Sequence, residues 1–253
     1  TSVVNANYFA NYQTAITSFD NTSISITDNI FAKGQSAIFA QNGKVIATNN
    51  KFGINNNNEV AGLSSTAISL TNTFKSKVVL NTFYGSTSQV LFVKNSDSSV
   101  VDSNTIIGSG SVVNAIEVVG CKKLKFIKNE ISNYNSVFTT RDSKFIEYVS
   151  NNIVNAQGNS FDIIRSDSVL ITKNTVSGTM DNIEPINIHY GSLEKSNKEI
   201  AAPEITKITY HDGKAFIKGK SKYPLINIEL FSSTSNSQAL EKFEGVTTAD
   251  YFG

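Results

Sequence analysis

Asparagine recurs along this chain at a nearly fixed interval, and the residues around it follow one pattern each time. "SISITDNIF" carries Ile24, Ile26, Asn29 and Phe31; "KVIATNNKF" carries Val45, Ala47, Asn50 and Phe52; "LKFIKNEIS" carries Leu124, Phe126, Asn129 and Ile131. The same order surrounds Asn7, Asn81, Asn104, Asn151 and Asn174. Apolar residues usually stand five and three places before the asparagine, and one always stands two places after it. Successive intervals from Asn7 to Asn174 are 22, 21, 31, 23, 25, 22 and 23 residues. A self-similar period of roughly 20–50 residues restricts a chain to stacked arrays, because one repeat cannot bury its apolar face alone.

A second apolar run lies about midway through most intervals, at 37–39, 90–93, 115–119, 136–138 and 161–164. No stretch sustains a 3.6-residue apolar period, which excludes helical repeats. Short β segments joined by polar turns predict an all-β chain. Residues 1–190 are expected to form a parallel β-helix of about eight coils. The recurring asparagines are assigned to the bends, where Asn tolerates left-handed backbone. With coils stacked about 4.8 Å apart, their side chains can bond to one another in a ladder. The same stacking predicts an internal file of Phe9, Phe31, Phe52 and Phe83, continued by Ile106, Ile131, Ile153 and Val176.

Composition narrows the function classes. The formal net charge is +1, whereas a sequence-blind nucleic-acid binder is expected to be clearly basic, so nucleic acid is disfavoured as a partner. Cys121 is the only cysteine, which excludes a disulfide framework or a cysteine metal site; it is expected to be a small core residue. No run of about 18 apolar residues provides a membrane-spanning helix. The chain opens directly in a coil-like stretch, without a signal-peptide pattern, and is read as a processed protein or a fragment.

The rhythm stops after Asn174. Residues 191–203 are polar, end in Pro203 and are expected to be a linker. Beyond it, Ile205, Ile208, Tyr210, Ala215 and Ile217 alternate around Asp212-Gly213, a hairpin turn signal, and 224–233 reads as a further strand. Residues 204–253 are too few for a full sandwich of about 100 residues. They form either part of one or a small antiparallel β segment capping the end of the solenoid.

These features together resemble the right-handed parallel β-helix, or pectate-lyase-like, superfamily of bacterial extracellular proteins. The tail is similar to an immunoglobulin-like module. The superfamily includes polysaccharide lyases, hydrolases and surface adhesins, and fold alone does not choose among them. Gly-His-Gly and the Asn-Thr-Asp pattern of polygalacturonase-type hydrolases are absent. His189 and His211 are expected to be structural. A local similarity to lyases of the alginate lyase and chondroitinase B type lies in Glu117, Lys122 and Arg141. It implies Lys122 as base, Arg141 as assisting cation and Glu117 as a calcium ligand. Where the family has His-Gly after the Arg, this chain has Asp142-Ser143, and Lys123 replaces the Ser after the Lys.

The residues themselves support part of that cluster. Glu117, Thr139 and Asp162 each lie 12 residues before their asparagine, which predicts one outward face. Lys122, Arg141 and Arg165 are expected in the turns just beyond it. Such a face could hold an acidic sugar, with Arg165 and Asp162 binding substrate and Glu117 and Asp162 offering oxygen ligands to calcium. Tyr8, Tyr12, Tyr84 and Tyr134 are candidates for exposed rings that stack on sugars, and the 54–63 insertion is expected to project as a loop. Three functions follow. The first is an extracellular or cell-surface carbohydrate-binding protein of adhesin type, for instance on cellulose. The second is a polysaccharide lyase acting on uronate-containing glycans by β-elimination. The third is a structural spacer.

Overall fold

A computed structural model describes residues 1–85, 88–110, 114–180, 183–189, 196, 203–212, 214–222, 227–233 and 240–250. Three parallel sheets of eight strands each wind through the chain as a β-helix. Sheet A runs from Ser2–Asn5 to Leu170–Thr172, sheet B from Tyr8–Ala10 to Thr175–Ser177, and sheet C from Thr14–Ser18 to Ile186–Ile188. Each strand pairs with its counterpart one coil away. Val78, for example, lies between Ala47 and Val101, and Phe83 between Phe52 and Ile106. The apolar run around each asparagine is therefore two strands, with the asparagine at the corner between sheets A and B. The midway run forms sheet C.

The corner differs from expectation in one respect. The ladder asparagines are not themselves left-handed. The residue immediately before each one is: Ala6, Asp28, Asn49, Leu80, Ser103, Lys128, Ser150 and Lys173 have φ between 51° and 57°. That residue turns the chain so that the following asparagine points inward. This division of labour explains why Leu, Lys and Ser appear at the left-handed position. The asparagine is fixed by its hydrogen bonds rather than by its backbone preference.

Those bonds are regular. Asn129 donates its backbone N–H and its Nδ2 to Asn151 Oδ1, at 3.0 and 2.9 Å. Its Nδ2 also reaches Val101 O at 3.0 Å, while its own Oδ1 accepts both N and Nδ2 of Asn104. Ladder members from Asn29 to Asn174 are at most 1% exposed. An aspartate would lack the donors and carry a buried charge, so only the amide satisfies both neighbours.

A second ladder uses the same grammar at the corner between sheets C and A. Left-handed Asn72, Asn95, Gly120, Asp142 and Arg165 each precede an inward residue: Thr73, Ser96, Cys121, Ser143 and Ser166. Backbone N–H groups donate along this file, from Thr73 to Ser96 Oγ at 3.1 Å, Cys121 to Ser143 Oγ at 3.0 Å and Ser143 to Ser166 Oγ at 3.1 Å. Ser96 N–H reaches Cys121 Sγ at 3.4 Å, so the thiol occupies a serine rung, and burial pushes its pKa up to about 11.

The predicted internal file is present. Phe9, Phe31, Phe52 and Phe83 stack at 4.9, 4.9 and 4.6 Å with planes within 6° of parallel, and Ile106, Ile131, Ile153 and Val176 continue it, fully buried. Phe126, Phe138, Tyr148 and Phe161 pack in a second aromatic cluster in the later coils. The insertion closes as a small hairpin: Ile54 bridges Val60, and Asn55 Oδ1 accepts the N–H groups of Asn57 and Glu59.

Two antiparallel pairs follow, Glu204–His211 with Lys214–Lys220 and Asn227–Ser232 with Lys242–Thr248. Asp212 of the expected turn is left-handed, and Gly213 lies outside the described residues. Of the segment 191–203, only Ser196 and Pro203 are described. Ser196 is no linker residue, since it is buried and its Oγ accepts Ser166 N–H at 3.3 Å as the last rung of the second ladder. The second antiparallel pair meets the end of the solenoid. Glu229 Oε2 accepts Lys173 N–H at 2.8 Å, and Leu240 O accepts Val176 N–H at 2.9 Å. These groups stand where a further coil would offer its carbonyls.

Replacing Asn129 by Ala leaves several buried groups without partners and is expected to lower stability by about 3 kcal/mol in urea unfolding. Cys121→Ser keeps the rung and is expected to stay within about 1 kcal/mol of the parent. The native thiol should resist alkylation until the protein is unfolded.

Candidate functional site

Alternation decides what each coil shows on the outer face of sheet C. Ile38, Leu91, Ile116, Phe138 and Phe161 point inward, so the next residue in each strand points out. Direct register then assembles one straight column across the strands. Thr17 lies beside Phe39, Phe39 beside Ser69, and Ser69 beside Phe92. Phe92 lies beside Glu117, followed by Thr139, Asp162 and Asn187. Two positions further along each strand, a parallel column carries Gln41, Thr71, Lys94, Val119, Arg141 and Ile164.

The predicted alignment of Glu117, Thr139 and Asp162 therefore exists, but the carboxylates lean apart. Gln89, one coil before Glu117, donates to it at 3.4 Å. Asp162 turns toward the coil after it, where Asn187 Nδ2 and His189 Nε2 both lie 2.9 Å from its Oδ1. Their strands are two coils, about 10 Å, apart, and Thr139 between them is 2% exposed. A calcium ion holds its oxygens at about 2.3–2.6 Å, and two carboxylates turned away from each other do not fit one such ion. Among the described residues, no group of three or more His, Cys, Asp or Glu side chains is placed to hold a metal.

The cations are divided as well. Arg141 ends the strand Ser136–Arg141, on the sheet C face rather than in the turn, diagonally across from Glu117. Lys122 lies past the corner at Gly120 and Cys121, in a separate file with Asp97, Lys144 and Asp167. No hydrogen bond or ion pair joins Lys122 to Glu117 or Arg141 among the described residues. Arg165 sits at the left-handed corner and pairs with both carboxylate oxygens of Asp142, at 2.7 and 3.0 Å, which holds the Asp142 carboxyl below its usual range. The base and the assisting cation implied by the lyase similarity thus stand on either side of the corner between sheets C and A.

The tyrosines also divide. Tyr134, expected as an exposed ring, is 1% exposed, and burial raises its pKa above the ordinary tyrosine range. It fills space where the chain turns from sheet B to sheet C, against Gly108. Tyr12 packs edge-on to Phe31 and is likewise raised by burial. Tyr8 and Tyr84 face outward from sheet B, away from the column. The rings that do stand in the column are Phe39 and Phe92, both half-buried, with Phe19 edge-on to Phe39 at 5.9 Å. They were missed because "AIF" and "VLFV" read as uniformly apolar core. Strict alternation, Ile38 in and Phe39 out, Leu91 in and Phe92 out, was the available signal. His189 and Asn187 were missed as partners of Asp162 because they lie outside the repeating pattern.

No protein-family model matches the chain, and no curated protein matches it either.

Asp162→Ala removes the acceptor that Asn187 Nδ2 and His189 Nε2 share, while their mutual 3.1 Å contact remains, and is expected to cost about 1 kcal/mol in thermal or urea unfolding. Among the described residues, Glu117→Ala removes a single hydrogen bond, the 3.4 Å one from Gln89. That variant should stay within about 0.5 kcal/mol of the parent.

Proposed function

We propose that the outer face of sheet C binds an extended polysaccharide, and that the protein works outside the cell or at its surface as a carbohydrate-binding β-helix of the adhesin type. One observation carries this reading: a single straight column presents two aromatic rings, hydroxyl groups, carboxylates and an amide, flanked by Lys94 and Arg141. Rings offer apolar area to the C–H faces of sugars, while placed polar groups fix the hydroxyls. A rigid sheet positions them without an ordering cost at the moment of binding. The extracellular setting rests on the ligand class, since structural polysaccharides lie outside cells, and on the resemblance to extracellular β-helix proteins of bacteria.

Elimination chemistry needs a base beside the proton and a cation beside the uronate carboxylate. The separation of Lys122 from Arg141 favours binding over the lyase reading. The outward rings of Phe39 and Phe92 favour binding over a bare spacer, which has no use for aromatic rings on one face.

The test is a glycan array with the parent protein, Arg141→Ala and the double variant Phe39→Ala/Phe92→Ala. Binding to a polysaccharide that falls at least about tenfold in the double variant supports the reading. Absence of binding to every glycan, or binding indifferent to the double variant, overturns it. A rise in ultraviolet absorbance on alginate or pectate, lost in Lys122→Ala, would restore the lyase instead.

A further inference from the structure

The spacing of the two rings carries more than the presence of a ligand. Coils in a parallel β-helix advance by one strand spacing, about 4.8 Å. Phe39 and Phe92 are two coils apart, with only Ser69 between them, so their rings repeat at about 10 Å along the solenoid axis. That is the length of two pyranose rings joined end to end in an extended chain.

Only one class of glycan keeps such a register. In a 1,4-linked polymer with both linkage bonds equatorial, each sugar is flipped by half a turn from the last. Every second sugar then shows the same face to the same side, and the chain is a flat, straight ribbon. Ser69 is small and leaves room beneath the flipped sugar while offering a hydroxyl. Glycans with one axial and one equatorial linkage bond, or with a 1,3 linkage, curl and leave a straight file of rings after one or two sugars. 1,4-Linked chains with both bonds axial stay extended but advance less per sugar and fall out of step with the rings. Around Phe39 the face is uncharged, its neighbours being Gln41, Ser69 and Thr71, and the two charges that flank Phe92, Lys94 on its own strand and Glu117 on the next, are of opposite sign and leave no net charge at the ring. Phe19, 49% exposed and edge-on to Phe39, widens the platform at its outer end.

We infer that the Phe39–Ser69–Phe92 file selects a neutral, flat-ribbon 1,4-linked glycan of the β-glucan, β-mannan or chitin class, lying across the strands along the solenoid axis. This inference rests on the glycan-binding reading of the same face.

The test uses calorimetric titration of the full chain with five hexasaccharides: 1,4-β-linked glucose, mannose and N-acetylglucosamine, 1,3-β-linked glucose, and 1,4-α-linked glucose. At least one 1,4-β-linked probe should bind at least about tenfold more tightly than both curling ones. Phe92→Leu, which keeps apolar bulk but removes the ring, should lose most of that preference, and Phe92→Tyr should restore it. Ser69→Tyr, which puts a ring under the flipped sugar, should also lower the preference. Circular dichroism checks that each variant folds. Binding without preference among linkages, or a preference unaffected by Phe92→Leu and Ser69→Tyr alike, overturns the inference and leaves the glycan reading standing. No binding by any probe here or on the array overturns both.

Discussion

The buried amide of the recurring asparagine is the constraint on which the structure depends. A parallel coil must turn three times while its backbone stays paired to the coils on either side, and the turn between sheets A and B is buried. Polar groups there need partners. Asparagine supplies two donors and an acceptor with room for two bonds, so each side chain serves its own corner and both neighbouring coils. Because the bonds run from one asparagine to the next, they fix the stacking of the corners, and with it the register of the strands they join.

Register then does the rest. Once corners are superposed, inward residues of successive coils superpose too, which gives the flat stack of phenylalanines from Phe9 to Phe83 and the aliphatic file after it. Outward residues superpose by the same geometry. A solenoid therefore turns a loose sequence repeat into straight columns of side chains at a fixed pitch, and the sheet C face is one of these. The serine file that includes Cys121 shows that the device is general. A left-handed residue followed by a small inward donor or acceptor builds a second ladder at another corner. At the far end the repeat stops, and Glu229 and Leu240 supply acceptors that a further coil would otherwise bring.

Much of this was legible in the chain, for a physical reason: the repeat makes each position's environment recur, so one pattern is read eight times. The β-helix, the asparagine ladder and the phenylalanine file followed from spacing alone. The alignment of Glu117, Thr139 and Asp162 did as well. Spacing did not reveal which way a side chain leans. Glu117 and Asp162 share a column and yet turn to opposite neighbours, because Gln89 lies on one side and His189 and Asn187 on the other. It also misassigned Tyr134, whose ring is drawn into the space beside Gly108 rather than left in solvent.

By itself the sequence determined the winding: a 22-residue rhythm of apolar pairs around asparagine has one economical way to bury both its apolar surface and its amides. Only the tertiary structure decided which rings and charges share a surface. That depends on the exact strand register and on where each corner bends, and it places Arg141 on the sheet C face while Lys122 lies past the corner. Outward phenylalanines look like core ones in a short apolar run, and they are told apart only when coils stack and the neighbours above and below are known.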